Sequence, residues 1–361
     1  MRALPDFPWD TLAPQAEIAR AHPDGIVDLS IGTPVDPTPA IITRALADAA
    51  DSPGYPLTAG SVALREAIAG WLSRRFGATL APDEVLPVIG TKELIAWLPT
   101  LLESRSVGYP ALAYPTYAVG AQFVGASAMA VDSTLSVGPQ RLDVLWINSP
   151  SNPTGRVLPV DHLRKLVAWA RERGTLLASD ECYADIYYGD ERPASVLSPE
   201  VCDGDHRGLL AVHSLSKRSN LAGYRAGFVA GDPTVISALR DVRKHLGMIV
   251  PGPVQAAMIA ALGDDDHVIE QRSRYAARRT SLLAALQAAG FEVDDSEAGL
   301  YLWASRNESC WDTVGRLCGL GILVAPGAFY GVGGAQHVRF ALTATDERIA
   351  TAVARLGAAV N

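Results

Sequence analysis

The chain reads as an α/β protein, a large unit with a mostly parallel central sheet joined to a smaller α+β unit. Three observations point there. Short apolar runs alternate with helical segments through the middle of the chain, the order expected of strand–helix–strand units. Those runs are apolar on neighbouring rather than alternating residues, as in strands covered on both faces. After Pro251 and Pro253 the pattern shifts to a long Ala-rich helical stretch followed by separate strands. At 361 residues the chain also exceeds what one core usually holds, about 250–300 residues.

Residues 1–37 are rich in Pro and Asp, with one short helical stretch near 15–21; they are expected to pack with the smaller unit. Apolar residues recur at helical spacing over 38–50 and 61–76 (Leu64, Ile68, Trp71, Leu72), and Gly77 is placed to cap the second helix. Strands are predicted over 85–89, 145–148, 176–179, 209–212 and 228–230, and helices over 92–103, 159–173 and 233–246. These make a large unit over 38–250. The smaller unit, 251–361, holds a helical region over 254–289, strands over 299–304, 321–325 and 337–342, and a closing helix over 346–358. Asp264-Asp265-Asp266 lacks the later ligands of a calcium loop and reads as a solvated interruption of the helical region.

Composition removes several classes of function. The formal charge is −8 (31 basic, 39 acidic residues), which argues against nucleic-acid binding through bulk charge. No apolar run approaches the ~20 residues of a membrane span, and the N-terminus has no apolar signal region. The four cysteines (182, 202, 310, 318) form no CxxC pair or disulfide framework, which suits a reducing cytoplasm. The seven histidines show no metal-site spacing, so no metal is expected. Lysine occurs only at 92, 165, 217 and 244, so 27 of the 31 basic residues are arginine and each amine can be weighed singly.

In open α/β sheets, ligands bind beyond the carboxyl ends of the strands. Four successive predicted strand ends here carry polar groups: Gly90-Thr91-Lys92, Ser149 to Gly155, Asp180-Glu181-Cys182-Tyr183, and His213-Ser214-Leu215-Ser216-Lys217. Gly90-Thr91 at a helix start offers free backbone N–H groups to an anion. Ser214, Ser216 and Arg225 add phosphate donors. Asp180 can hold a ring N–H⁺, and Asn152 and Tyr183 a phenolate oxygen. Lys217 can form a Schiff base if its surroundings lower its pKa. Pyridoxal 5′-phosphate requires that set. Lys165 and Lys244 read as surface residues, and His213 as a packed one.

Ser214-Leu215-Ser216-Lys217, with Gly223-Tyr224-Arg225-Ala226-Gly227 downstream, resembles the lysine signature of the fold-type I, class I/II aminotransferases. Asn152-Pro153-Thr154-Gly155 and Asp180-Glu181-Cys182-Tyr183 resemble the same family in the same order, across essentially the whole chain. The resemblance implies a pyridoxal-phosphate-dependent transferase fold and a ping-pong amino transfer. Lys217 would be the Schiff-base lysine and Asp180 the pyridinium partner. Asn152 and Tyr183 would contact the cofactor's 3′-oxygen. Gly90, Thr91, Lys92, Ser214, Ser216 and Arg225 would form the phosphate site, and Tyr114 would stack on the ring. Tyr55 would reach the phosphate of a neighbouring subunit, which implies a homodimer. Arg339 and Gly32 would bind the substrate α-carboxylate, with Asn152 beside them. One departure is local: Glu103 to Tyr109 is shorter and more polar than the strand usual before the stacking aromatic.

Within the family, residues 31–37, 87–99, 112–117 and 338–347 are most similar to actinobacterial succinyldiaminopimelate aminotransferases. The resemblance therefore implies glutamate and 2-oxoglutarate as one pair and N-succinyl-LL-2,6-diaminopimelate as the other partner. A long anionic substrate calls for a second basic residue, with the Lys92 side chain or the 218–245 stretch as candidates. The alternatives are another amino-acid aminotransferase, a β-lyase on the same fold, and, last, a non-catalytic regulator.

Overall fold

The computed structural model describes residues 4–358. A 3-10 turn (Pro8–Leu12) leads into α1 (Ala13–Arg20), β1 (Val27–Asp28), α2 (Ala40–Asp48) and α3 (Val62–Phe76). There follow β2 (Val85–Ile89), α4 (Thr91–Leu101), β3 (Ser106–Pro110), α5 (Thr116–Val124), β4 (Ser127–Val131), α6 (Thr134–Val137), β5 (Val144–Asn148), α7 (Val160–Arg173) and β6 (Leu176–Asp180). Next come α8 (Pro199–Cys202), β7 (Leu209–Ser214), α9 (Leu215–Arg218), β8 (Ala226–Gly231), α10 (Pro233–Leu246), α11 (Gly252–Gly263) and α12 (Asp266–Ala288). The chain closes with β9 (Glu292–Asp294), β10 (Tyr301–Ser305), α13 (Cys310–Gly319), β11 (Ile322–Leu323), β12 (Ala325–Pro326), β13 (His337–Ala341) and α14 (Asp346–Ala358).

The central sheet has seven strands in the order β2-β8-β7-β6-β5-β3-β4. All run parallel except β8, which is antiparallel to both neighbours. The consecutive apolar residues of its strands serve two opposite cores. In β5, Leu145 and Ile147 join α3, α7 and α11 on one face, while Val144 and Trp146 join α4, α5 and α10 on the other. Local chemistry sets the helix ends. Ser61 accepts from the Leu64 amide at the start of α3, and Gly77, at φ 69°, ends it. Asp232 likewise caps α10, accepting from Thr234 and Val235.

A four-stranded antiparallel sheet, β12-β13-β10-β9, forms the second layer system, and β1 pairs in parallel with β11. The N-terminal Ala16, Ala19, Val27 and Leu29 pack into the same cluster as Tyr275, Leu282 and Leu286 of α12. The apolar clusters divide the chain one helix later than the expected 250/251 boundary. Ala257, Met258, Ala261 and Leu262 of α11 lie in the core of the central sheet, because that helix packs on α2 and α3.

Some predicted elements change form. The helical region 254–289 is two helices, broken at the interruption read from Asp264-Asp265-Asp266, where the Asp264 carboxylate accepts from the His267 amide and imidazole. The polar stretch 103–109 does contain a strand, β3, next to the edge strand β4. Its Gly108 is apolar by contact rather than by side chain: an added Cβ would lie 2.7 Å from Leu142. The strand predicted over 321–325 is two short pairs, and 299–304 shifts to β10.

Candidate functional site

The carboxyl ends of β2, β5, β6 and β7 open into a cavity of about 550 Å³, within the usual size of a small-molecule site. The small sheet closes its other side with Tyr301 of β10 and Arg339 of β13. Of the residues singled out from sequence, Gly32, Thr91, Lys92, Tyr114, Asn152, Asp180, Tyr183, Ser214, Ser216, Lys217, Arg225 and Arg339 all line this cavity. Gly90 lies against Arg225, which lines it. Tyr55 does not reach it; it is fully exposed and borders a separate surface depression with Leu57 and Gln255.

At the floor, the buried Asp180 carboxylate accepts from the Tyr117 hydroxyl at 2.6 Å and from the Cys182 amide at 3.1 Å. Burial raises its pKa, and the Cys182 thiol, the Tyr117 hydroxyl and the Cys182 amide pull it part of the way back. It has no cationic partner among the described residues, an expensive state for a buried carboxylate. A ring N–H⁺ entering the cavity would complete it. Asn148, at the end of β5, donates to the Asp180 and Pro150 carbonyls and accepts from the Asn152 amide at 2.7 Å, so it braces the loop that carries Asn152.

The anion side is built from backbone conformation. Gly90 sits at φ 74° just before α4, and a Cβ there would lie 2.2 Å from Nη2 of Arg225. Only glycine leaves that room. Arg225 is left-handed (φ 56°), donates Nη1–H to the Ala222 carbonyl, and has no carboxylate partner among the described residues. Ser214 caps the short α9 by accepting from the Ser216 amide. That turn places Lys217, whose amine donates to the Gly32 carbonyl. Burial lowers the Lys217 pKa. Gly32 itself is required, since a Cβ would lie 2.1 Å from the Tyr301 hydroxyl. These features fit pyridoxal 5′-phosphate: an unpaired buried carboxylate, an amine of lowered pKa, and a glycine-lined cationic cradle.

Arg339 is 2% exposed, yet no carboxylate among the described residues neutralises it. Its Nη1–H donates to Asn152 Oδ1 at 2.9 Å and its Nη2–H to the Ser30 carbonyl at 2.7 Å. Its guanidinium lies 3.8 Å from the Tyr301 ring centroid, 5.0 Å from that of Tyr330 and 5.7 Å from that of Trp9. Sheet register explains the first contact. Trp303 pairs with Arg339, so Tyr301, two residues back on the same face, lies diagonally beside it. The Tyr301 and Tyr183 hydroxyls are 3.2 Å apart, and the Arg339 and Lys217 charges outweigh burial to lower the Tyr301 pKa. Tyr114 lies on the wall with its ring 5.6 Å from Trp9, and the exposed Lys92 amine lies 5.5 Å from the Tyr114 ring and 4.8 Å from that of Phe7. His213 is packed among Trp71, Phe76 and Phe228 rather than facing the cavity.

Sequence reasoning missed Tyr117 as a partner of Asp180, Tyr301, Asn148 and the N-terminal Phe7 and Trp9. Tyr117 had a signal: it follows Tyr114 by three residues, so a helix start turns it toward the sheet. Trp9 and Tyr301 had none, because strand register and the return of the N-terminus to the cavity are long-range.

Comparison with known proteins agrees with this geometry. Residues 24–356 match the family described as aminotransferase class I and II. A protein of Mycobacterium tuberculosis described as a "probable aminotransferase" is 63% identical over 98% of this chain and 85% of its own. A 4-dedimethylamino-4-oxo-anhydrotetracycline transaminase of Streptomyces rimosus is 60% identical over 99% of this chain and 100% of its own. A solved Thermus thermophilus protein described as a "probable N-succinyldiaminopimelate aminotransferase" superposes with a TM-score of 0.89 at 28% identity, covering 98% of this chain and 100% of that one. Among the described residues there is no group of metal-ligating side chains and no helix long and apolar enough to cross a membrane.

Proposed function

Because the chain belongs to the aminotransferase class I and II family, and so is a pyridoxal-phosphate-dependent transaminase of amino acids and 2-oxo acids, we propose the following roles for its residues. When bound, the cofactor supplies a ring that accepts the electrons left at the substrate Cα. Asp180 holds the proton on the ring nitrogen, and Tyr117 and the Cys182 amide keep that carboxylate ionised. Arg225, whose guanidinium fits against Gly90, would hold the phosphate together with Ser214, Ser216 and the backbone N–H groups of Thr91 and Lys92. Asn152 and Tyr183 hold the 3′-oxygen, and Tyr114 covers one ring face. Lys217 would be the residue that holds the cofactor covalently, and its amine, with its pKa lowered by burial, would be the group that takes and returns the proton at the substrate Cα. Arg339 clamps the α-carboxylate with its fork, beside the Gly32 backbone.

The observation that carries this reading is the unpaired buried Asp180 facing the same cavity as Lys217, Arg225 and Arg339. Lys217→Ala is expected to abolish the visible absorption band of the loaded protein; an unchanged spectrum refutes the assignment. Arg339→Lys keeps the charge but loses the fork, and is expected to raise KM for every amino donor while the band remains.

For the substrate we propose N-succinyl-LL-2,6-diaminopimelate, with glutamate and 2-oxoglutarate as the other pair. Lys92 supports this reading: an exposed amine at the cavity rim without a carboxylate partner among the described residues suits a distal carboxylate. The aromatic rim of Phe7, Trp9 and Tyr114 favours a second reading, a ring-bearing substrate such as the one named for the Streptomyces relative. A steady-state comparison of the succinylated substrate, simple amino acids and a ring-bearing amine or ketone separates the two. Lys92→Ala is expected to lower kcat/KM for the succinylated substrate alone. A wild-type preference for the ring-bearing compound overturns the first reading in favour of the second. We also propose a homodimer in which the exposed Tyr55 reaches the neighbouring subunit's phosphate site, with sedimentation as its check. The four free cysteines support a cytoplasmic setting.

A further inference from the structure

A second cavity, of about 130 Å³, lies where α3, the segment after β6, α9 and the start of α12 meet. Five guanidinium groups border it (Arg74, Arg75, Arg192, Arg218 and Arg272) against only two carboxylates, Asp185 and Asp265. This surplus of positive charge belongs to a chain whose net charge is −8. The buried Asp185 is already used twice, by Arg75 Nε at 2.8 Å and Arg218 Nε at 2.6 Å. Burial works against its carboxylate, but the Arg218 and Arg75 charges outweigh it and hold the pKa below the usual value. Asp265 is exposed and 3.6 Å from Arg218 Nη2.

The other three arginines have no carboxylate partner among the described residues. Arg74 donates only to the Leu262 carbonyl. Arg272 lies with its guanidinium 4.2 Å from the Tyr187 ring centroid, and Arg192 is exposed. Trp71 backs Arg218 at 5.2 Å, so the cavity has two aromatic walls and one arginine that is only 5% exposed. Like charges gathered in a half-enclosed space repel one another less weakly than in open water, and guanidinium forks match planar or tetrahedral oxyanions. None of these groups enters the amino-transfer chemistry.

We propose that this cavity binds a small oxyanion of two or more negative charges, a phosphate or a polycarboxylate, separately from the cofactor. The volume suits a compact anion and is below the usual range for larger ligands. The test is isothermal titration of the protein saturated with pyridoxal phosphate, which keeps the cofactor's own phosphate site filled. Inorganic phosphate, pyrophosphate and citrate are each added at ionic strength held constant with sodium chloride. Saturable binding of at least one of them, one per chain, is expected. The Arg192→Ala/Arg272→Ala double variant removes two charged donors and is expected to weaken it about a hundredfold or more, with the visible band and melting temperature unchanged. Arg192→Glu, at an exposed position, serves as an independent variant and is expected to weaken binding as well. Binding of phosphates without citrate, or the reverse, supports the site and assigns the anion. No saturable binding, or equal affinity in wild type and both variants, overturns the proposal.

Discussion

Replacing Tyr117 with Phe removes one hydroxyl and leaves the rest of the floor in place. The ring is 1% exposed and packs 5.4 Å from Trp146, contacts that Phe retains. What disappears is the 2.6 Å hydrogen bond to Asp180 Oδ2. Burial, together with the Asp180 charge, raises the Tyr117 pKa well above its usual value, so this group remains a donor at every working pH. A hydrogen bond to a charged acceptor contributes about 1.5–3 kcal/mol. Its loss corresponds to roughly ten- to 150-fold weaker retention of any ligand that needs Asp180 ionised. The sign with pH follows from Asp180. Its folded pKa is already raised by burial, and the ionised form is lost as pH falls through that value. Without Tyr117 the value rises further, so the deficit should be largest on the acid side and shrink toward alkaline pH. Titration of the cofactor-free protein with pyridoxal phosphate across pH, followed by absorption, measures this. Affinity within twofold of wild type at every pH would refute the assigned role of the Tyr117–Asp180 pair.

Gly90→Ala places a Cβ against the Arg225 guanidinium on a backbone at φ 74°. A cost of about 1–3 kcal/mol is expected, read as about five- to 150-fold weaker cofactor binding in the same titration; unchanged affinity would show that Arg225 yields freely. Glu181→Gln tests a buried pair behind the site. Burial pushes the Glu181 pKa up to about 7 and that of His213 down to about 3. Between 4.5 and 7 folded Glu181 keeps a proton that the unfolded chain has released, so it adds stability as pH falls. His213 acts oppositely below 6.5, since only the unfolded chain takes up its proton. The two offset one another in the wild type. The Gln variant should therefore lose stability on acidification with a slope approaching ~1.4 kcal/mol per pH unit. Parallel pH profiles of chemical denaturation for the two proteins would contradict the pairing.

Much of the site was legible because strand ends are local features. Gly90, Asp180 and Lys217 each follow an apolar run of four or five residues, and an open sheet gathers such ends along one edge. The β3 strand was less legible, since Ser106 and Gly108 carry no apolar signature and the strand owes its place to Leu142 and Leu145 packing over the glycine. Asp264-Asp265-Asp266 marked the break between α11 and α12, but an Ala-rich composition that suits both cores hid the packing of α11 against the central sheet. Trp9 and Phe7 gave no local signal, because their approach to Tyr114 depends on the N-terminal segment returning across the fold.

By itself the amino-acid sequence determined the fold class, the order of the polar strand ends, the serine-flanked Lys217 at one of them and the arginine on the last strand. These follow from periodicity and from residue type at short range. Only the tertiary structure decided which groups touch: Tyr117 on Asp180, Tyr301 beneath Arg339, Arg225 against Gly90, and five arginines around a second cavity. Those contacts join segments distant in the chain, 63 residues apart for Tyr117 and Asp180, and their partners are set by sheet order, register and packing rather than by any neighbour in the chain.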